Sequence, residues 1–398
     1  MRREAQAGLP QSLLLLLGSC LPVLGAVLLA PVLPRMQAHF GDDPLVAVLV
    51  PVSLTIPALV IAVLAPFAGM IADRLGRKPL LLGSMLLYSL FGLLPLWLES
   101  LPAIVASRAG LGLAEAGIMT CCTTLIGDYY QGARRERLFA LQMVCTSLSA
   151  ALFISVGGAL GQDDWRTPYL LYGVGLLFLP LMAWLLWERQ AGEVQVESDS
   201  AGFPWRALLP LYLFSLLAGV SLFVVPVQAG FLLGLLHVDS PQQIGMVMGA
   251  NQLGVMLGAL SFRLLHGLAR QYLLGLAFVT AGIGGGLMAL APDALWLTPA
   301  VALNGLGIGL MLPTLITWVM SRAGAAQRGR ATGGFTAALF AGEFASPLVV
   351  LALTSGNPQA LPGALALIAL GQLLLALACL ALPRISPMPA LPSSPNKI

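Results

Sequence analysis

Three full charges, Arg108, Glu115 and Glu343, stand well inside apolar stretches of this 398-residue chain. On insertion scales each costs about 2.5–3.5 kcal/mol at the middle of a bilayer. Such groups therefore turn towards a protein interior or a wet cavity. On a helix, Arg108 and Glu115 share a face, about 10 Å apart along the axis. That is too far for an ideal direct pair, yet both can line one cavity. An acid withdrawn from water is suited to taking up and releasing a proton. Two of the three also have a structural reading: Arg108 pins its helix to neighbouring carbonyls, and Glu343 is kept neutral by a hydroxyl or amide partner. Gln142, Gln228, Asn251, Gln252 and Asn304 are neutral polar groups in similar stretches, placed to bind a ligand or to join helices. The chemistry on offer is binding and proton exchange rather than bond breaking. No Ser/His or metal-ligand constellation is present, and His39, His237 and His266 fall in or near breaks between apolar runs. There is no phosphate-binding G-x-x-x-x-G-K-[ST]. Gly305-Leu-Gly307-Ile-Gly309 only imitates a nucleotide loop, because it lies within an apolar run where glycines let helices approach.

A second constellation is Gly69-x-x-x-Asp73-Arg74-x-Gly76-Arg77-Lys78, lodged between two long apolar runs. Its bases cannot enter hydrocarbon cheaply. Its glycines permit close approach and positive φ. The expectation is a very tight turn at a membrane surface, with Asp73 near a helix end. Asp128 and Arg135 flank a later break on the same side.

The elements that position these groups follow from composition. The chain is 58% hydrophobic and only 9% charged, against roughly 25% charged in soluble domains. Most of its surface must face lipid or other helices. A spanning helix needs about 20 mostly apolar residues. Twelve runs qualify: 12–35, 46–71, 79–98, 102–126, 138–160, 167–187, 206–236, 242–264, 271–291, 294–320, 331–354 and 360–383. The first is too long for the core of a cleaved signal, about 7–15 residues, and reads as a retained helix. With the N-terminus cytoplasmic, all of the 20 basic residues but Arg35, Arg108 and Arg166 fall in cytoplasmic breaks or tails. This is the charge bias expected of that orientation. Both chain ends are then cytoplasmic. The five cysteines lie in apolar runs, without disulfide or metal spacing.

The polar, acidic stretch 188–205 divides the chain into an N-terminal unit, 1–187, and a C-terminal unit, 206–383, followed by a Pro/Ser-rich tail, 384–398, expected to be disordered. The units repeat weakly. Gly110-Leu-Gly112 matches Gly305-Leu-Gly307, and at the same offset Arg135 falls on Arg330. Gly69…Arg74 recurs as Gly258…Arg263, with Phe262 in place of the aspartate. Related six-helix halves are a hallmark of one group of secondary transporters.

The turn sequence resembles the signature G-x-x-x-D-R-x-G-R-[RK] between the second and third helices of the major facilitator superfamily, and every fixed position matches. Arg108 to Gly112 resembles that family's R-x-x-x-G in helix 4. The resemblance implies an all-α membrane protein with 12 transmembrane helices in two six-helix bundles. Helices 1, 4, 7 and 10 would surround a central cavity, with 3, 6, 9 and 12 outside. It implies that Gly69, Asp73, Arg74, Gly76, Arg77 and Lys78, with Asp128 and Arg135, form a cytoplasmic gate, and that Arg108 bears on proton coupling. Leu29-Ala-Pro31-Val-Leu-Pro34, Trp165-Arg166 and Arg328-Gly329-Arg330 look like the drug/metabolite efflux branch. The antiporter pattern G-P-x-x-G-G is incomplete, since Phe153-Ile154 precede Gly157-Gly158, and no acid lies within helix 1.

The expectation is therefore a transporter of the cell inner membrane, not an enzyme, exporting a small organic molecule in exchange for protons by alternating access. Arg108, Glu115 and Glu343 would serve coupling. Its partners would be the bilayer, the substrate and protons, with no cofactor, metal or nucleic acid, and the chain would act as a monomer. Uptake or facilitated diffusion of a metabolite is the alternative. From a different class, so is a transport-inactive membrane receptor.

Overall fold

The computed structural model describes residues 7–188, 203–265, 267–324 and 327–381. Twelve helices among them are long and apolar enough to cross a membrane: α1 (Leu9–His39), α2 (Val46–Leu64), α3 (Arg77–Leu96), α4 (Leu101–Tyr129), α5 (Gly132–Leu160), α6 (Thr167–Leu185), α7 (Trp205–Leu235), α8 (Pro241–Leu265), α9 (Arg270–Ala289), α10 (Ala294–Arg322), α11 (Arg328–Thr354) and α12 (Pro358–Cys379). No strand occurs among the described residues. In lipid every backbone polar group needs an internal partner, which the helix supplies within itself. Most of the expected linker, the whole expected tail and His266 lie outside the described residues.

Two expectations need correction. The second apolar run does not continue as one helix to residue 71. α2 stops at Leu64, where Ala65-Pro66 interrupts it, and a short helix, Ala68–Leu75, follows. The signature sequence is thus a helical turn ended by Gly76 at φ +83°. The first run, in turn, is not a continuous rod. α1 is divided into Leu9–Gly18, Leu21–Val27, a 3-10 turn at Ala30–Val32, and Leu33–His39. Pro22, Pro31 and Pro34 each remove a donor from the ladder.

The packing repeats when each helix number rises by six. α4 lies against α2 and α3, as α10 lies against α8 and α9. α3 meets α6 as α9 meets α12, and α1 meets α5 as α7 meets α11. Across the seam between the halves, α5 meets α8 and α2 meets α11. The chain therefore forms two six-helix bundles related by a pseudo-twofold axis. One helix departs from the expected inside–outside pattern: α9 is more than half buried, like α1, α4, α7 and α10. Its glycines explain this. A Cβ on Gly284 would overlap the Asn304 backbone of α10, and one on Gly282 would lie 2.9 Å from Leu373 of α12.

The seam is tightest at the end remote from the Gly76 turn. A Cβ on Gly158 would overlap the Pro241 carbonyl, and one on Gly245 would lie 2.9 Å from the Ile154 carbonyl. The last piece of α1 reaches across to α7, where Pro34 Cγ is 3.0 Å from the Cβ position of Gly230. Arg35 caps the same end by donating to the Gly161 carbonyl at 3.2 Å and to that of Gln162.

Candidate functional site

Arg108 sits in α4 with no exposed surface. Its Nε donates to the Ser53 carbonyl of α2 at 3.1 Å, Nη1 to the Tyr172 hydroxyl of α6 at 2.7 Å, and Nη2 to the Gly25 carbonyl of α1 at 2.6 Å. One guanidinium thus joins four helices. The planar fork of Arg allows this, where the single nitrogen of Lys would not. The second piece of the broken α1, Leu21–Val27, helps. Its last turn lacks some intrahelical partners, so the Gly25 carbonyl is free to accept. Tyr172 also packs under the cation, 5.4 Å from ring centre to Cζ. Tyr88 and Tyr169 complete a buried aromatic nest around it.

Glu115, two turns on, is 1% exposed, and its Oε1 has no hydrogen-bond partner. It lies against α1 where a Cβ on Gly25 would overlap the carboxyl, so that glycine makes room for the acid. Arg108 and Glu115 feel one another's charge but form no ion pair within 4.0 Å. In the other half, Glu343 of α11 is 5% exposed. The close fit of Gly219 against the Leu339 carbonyl and the Glu343 amide sets it beside α7. The two acids are thus buried in opposite bundles.

The Gly76 turn is a second cluster. Arg77 donates to Asp128 at the end of α4 and to Asp73 at 3.0 Å. Asp73 sits at the C-terminal end of the short helix, where the helix dipole disfavours an acid, and Arg77 offsets this. Lys78 Nζ donates to the Ala183 carbonyl of α6 at 2.7 Å. Arg74 and Arg135 are exposed, and none of the described contacts joins the Arg135 side chain to the turn. Gly69 has open space around it, so close approach is not its role here.

The sequence model of the family described as Major Facilitator Superfamily matches residues 15–347. The chain belongs to the major facilitator superfamily. It is a multi-pass membrane transporter for a small-molecule substrate. It is 27% identical over 376 residues to the class C tetracycline resistance protein of Escherichia coli, covering 87% of this chain and 90% of that one. It is 30% identical over 222 residues to the 3-(3-hydroxy-phenyl)propionate transporter of Escherichia coli K12, about half of either chain (49% and 51%). Among solved structures, a bacterial homologue of the human lysosomal transporter Spinster, inward-facing and occupied, aligns with a TM-score of 0.77. It is 14% identical and covers 94% of this chain and 97% of that one.

Within the superfamily fold the neutral polar residues divide. Gln142 donates to Ser19 at 2.8 Å and Thr123 at 3.2 Å, joining α5 to α1 and α4. Asn251 donates to the Val301 carbonyl at 2.7 Å, and Asn304 to the Ala281 carbonyl at 2.9 Å. Both tie helices together inside the second half, and Asn304 reaches towards α9. Gln252 is buried in α8. Gln228 alone of the five lines a cleft between the halves, of about 90 Å3, with Gln37 of α1, Pro51 of α2 and Pro347 of α11.

Two participants were missed in the sequence. Tyr172 was hidden because its partner lies 64 residues away. Glu188 was counted only as the start of a linker. Its carboxylate accepts the Arg77 amide at 3.0 Å and the Lys78 amide at 2.8 Å, capping the first turn of α3. Trp187 beside it stacks on Tyr129 at 4.6 Å. An acid immediately after an apolar run, on the side that carries the turn, was the available signal.

Proposed function

We propose that the protein is a proton-coupled exporter of a small organic molecule, working by alternating access between its two bundles. The observation that carries this reading is the pair of buried acids, Glu115 and Glu343, set in opposite halves. A carboxyl withheld from water ionises at a cost, so it is a natural proton carrier when the seam opens and closes around it. Arg108, held by two carbonyls and the Tyr172 hydroxyl, keeps a positive charge on the same helix face as Glu115. The long match to a tetracycline resistance protein supports export, and the bacterial relatives support the inner membrane. The moving units are residues 1–187 and 206–383, joined by 188–205, in a monomer whose two ends are cytoplasmic. Gly69, Asp73, Arg74, Gly76, Arg77, Lys78, Asp128 and Arg135 form the cytoplasmic gate in this reading.

Uptake of an aromatic carboxylate is the second reading, favoured by the relative named for 3-(3-hydroxy-phenyl)propionate. Proteoliposomes with an imposed pH gradient separate the two. Gradient-driven substrate movement against the proton flow is expected. Glu343→Gln should lose that drive while still binding substrate in a thermal-shift assay. Flux that ignores the gradient in the wild type would remove the proton from the mechanism, and movement along with the protons would favour uptake.

A further inference from the structure

Between α7, α9, α10 and α12 the second bundle encloses a small cavity lined by Val224, Gly285, Met288, Asn304, Ile368 and Gln372, among others. About 10 Å3 of it is open to the centre of a water molecule. That is the size of a single water site. Asn304 and Gln372 are each 4% exposed, and Asn304 Oδ1 and Gln372 Oε1 have no hydrogen-bond partner.

The direction of both amides is fixed by what their nitrogens do. The Ala281 carbonyl can only accept, so its partner at 2.9 Å must be the Asn304 amide nitrogen. Ser221 Oγ spends its proton on the Leu217 carbonyl at 2.9 Å, so it accepts from Gln372 Nε2, also at 2.9 Å. Asn304 cannot flip without losing that bond, and Gln372 can do so only if the Ser221 proton leaves the Leu217 carbonyl. Each therefore has one acceptor oxygen left, and both residues line the same cavity. An unpaired buried carbonyl costs about 1–3 kcal/mol, and two around one cavity call for a guest with two protons to give.

We infer that this cavity is a binding site for one buried water, donating to Asn304 Oδ1 and Gln372 Oε1 and thereby joining α10 to α12. Gly285 belongs to the site because it leaves the space. A Cβ there would lie 3.3 Å from Ala369 Cβ and 3.6 Å from Gln372 Oε1. The site is distinct from the acids at the seam and does not depend on the direction or coupling of transport.

The test is a thermal-unfolding cycle on purified full-length protein. Gly285→Ala should push the water out and strand both oxygens, lowering the melting temperature by about 2–4 °C. In a Gln372→Met background, where one stranded oxygen is gone, about half of that loss should vanish. An equal loss in both backgrounds would mean simple crowding by the methyl group, and a gain would mean a dry cavity. Either overturns the proposal. Replacing sodium by choline in the buffer should leave the melting temperature unchanged, whereas a sodium-dependent rise would make the guest a cation instead. A structure that resolves solvent should place a peak within hydrogen-bond distance of both oxygens, and its absence would overturn the site directly.

Discussion

In the first half, a single side chain at the centre of the bundle, Arg108, ties α4 to α1, α2 and α6 at once. In the second half the corresponding work is divided: Asn251 joins α8 to α10, Asn304 joins α10 to α9, and Gln372 joins α12 to α7. The guanidinium has only donors, and carbonyls facing it can satisfy it fully. Each carboxamide gives one bond and keeps a carbonyl oxygen, and those of Asn251, Asn304 and Gln372 have no protein partner. The first bundle therefore gathers the ties of α4 to α1, α2 and α6 in one group, whereas the second spreads the corresponding ties over several weaker ones.

The copies of the signature sequence differ as sharply. Gly69 stands in open space, whereas a Cβ on Gly258 would run into the Leu306 carbonyl of α10. The first copy has become a charged turn stitched by Arg77 and Glu188. The second, without its aspartate, has become a helix contact. A shared sequence pattern has thus been kept for different physical reasons in the two halves.

Arg108→Lys should give the largest break in this contrast. The three donors of Lys share one nitrogen, which cannot reach acceptors that now face three separate nitrogens of Arg108, and buried carbonyls are left unpaired around a displaced charge. A loss of roughly 3–5 kcal/mol is expected, visible as poor recovery of folded protein in detergent. Asn304→Leu in the second half should cost much less in the same assay, and equal losses would end the claim that cohesion is concentrated in one half and spread in the other.

Next come the paired glycines. Gly258→Ala should destabilise by about 1–3 kcal/mol, since the obstacle is backbone. Gly69→Ala should be neutral or stabilising by about 0.5–1 kcal/mol, since it improves helix propensity in open space. Thermal unfolding of the two variants side by side decides whether the copies have in fact diverged.

The smallest effect on folding, though not on flux, is expected in the turn. Asp73→Asn should leave expression and melting temperature nearly unchanged, because an exposed ion pair contributes only about 0–1 kcal/mol. Asp73 has 60% of its side chain exposed. Transport should nonetheless fall about tenfold if the turn is a gate, a loss equivalent to about 1.4 kcal/mol in the rate-limiting step. Glu188→Gln should lower flux less, because one capping acceptor remains. Normal flux from Asp73→Asn would reduce the turn to a topological marker.

The helices were legible because lipid imposes a length and an apolar composition on each, and the resulting runs need no knowledge of partners. Where Ala65-Pro66 and the prolines of α1 broke that regularity, the sequence held the cue, and a hydropathy window averaged it away. Arg108 and Glu115 were found by their cost in an apolar run. That Arg108 pins its helix to carbonyls was one of its two readings, but which carbonyls was not legible, since they lie 55 and 83 residues distant and a carbonyl has no sequence signature. Asn304 shows the same limit from the other side. Its residue type allowed a ligand contact or a tie between helices, and the packing of α9 through Gly284 turns its amide towards a neighbouring helix. Gln228 reads like Asn304 in sequence, yet it lines the cleft between the bundles.

The four pieces of α1 are not owned by one bundle. Val27 and the residues before it lie with α4 and α5, while the stretch from Leu33 leans on α7. A stiff rod in that position would lever one bundle against the other. In the proposed transport cycle a jointed one would bend at Leu28–Val32 and let its ends travel separately, so that the strain of each stroke would be absorbed over a few prolines before it reached the Arg108 anchor.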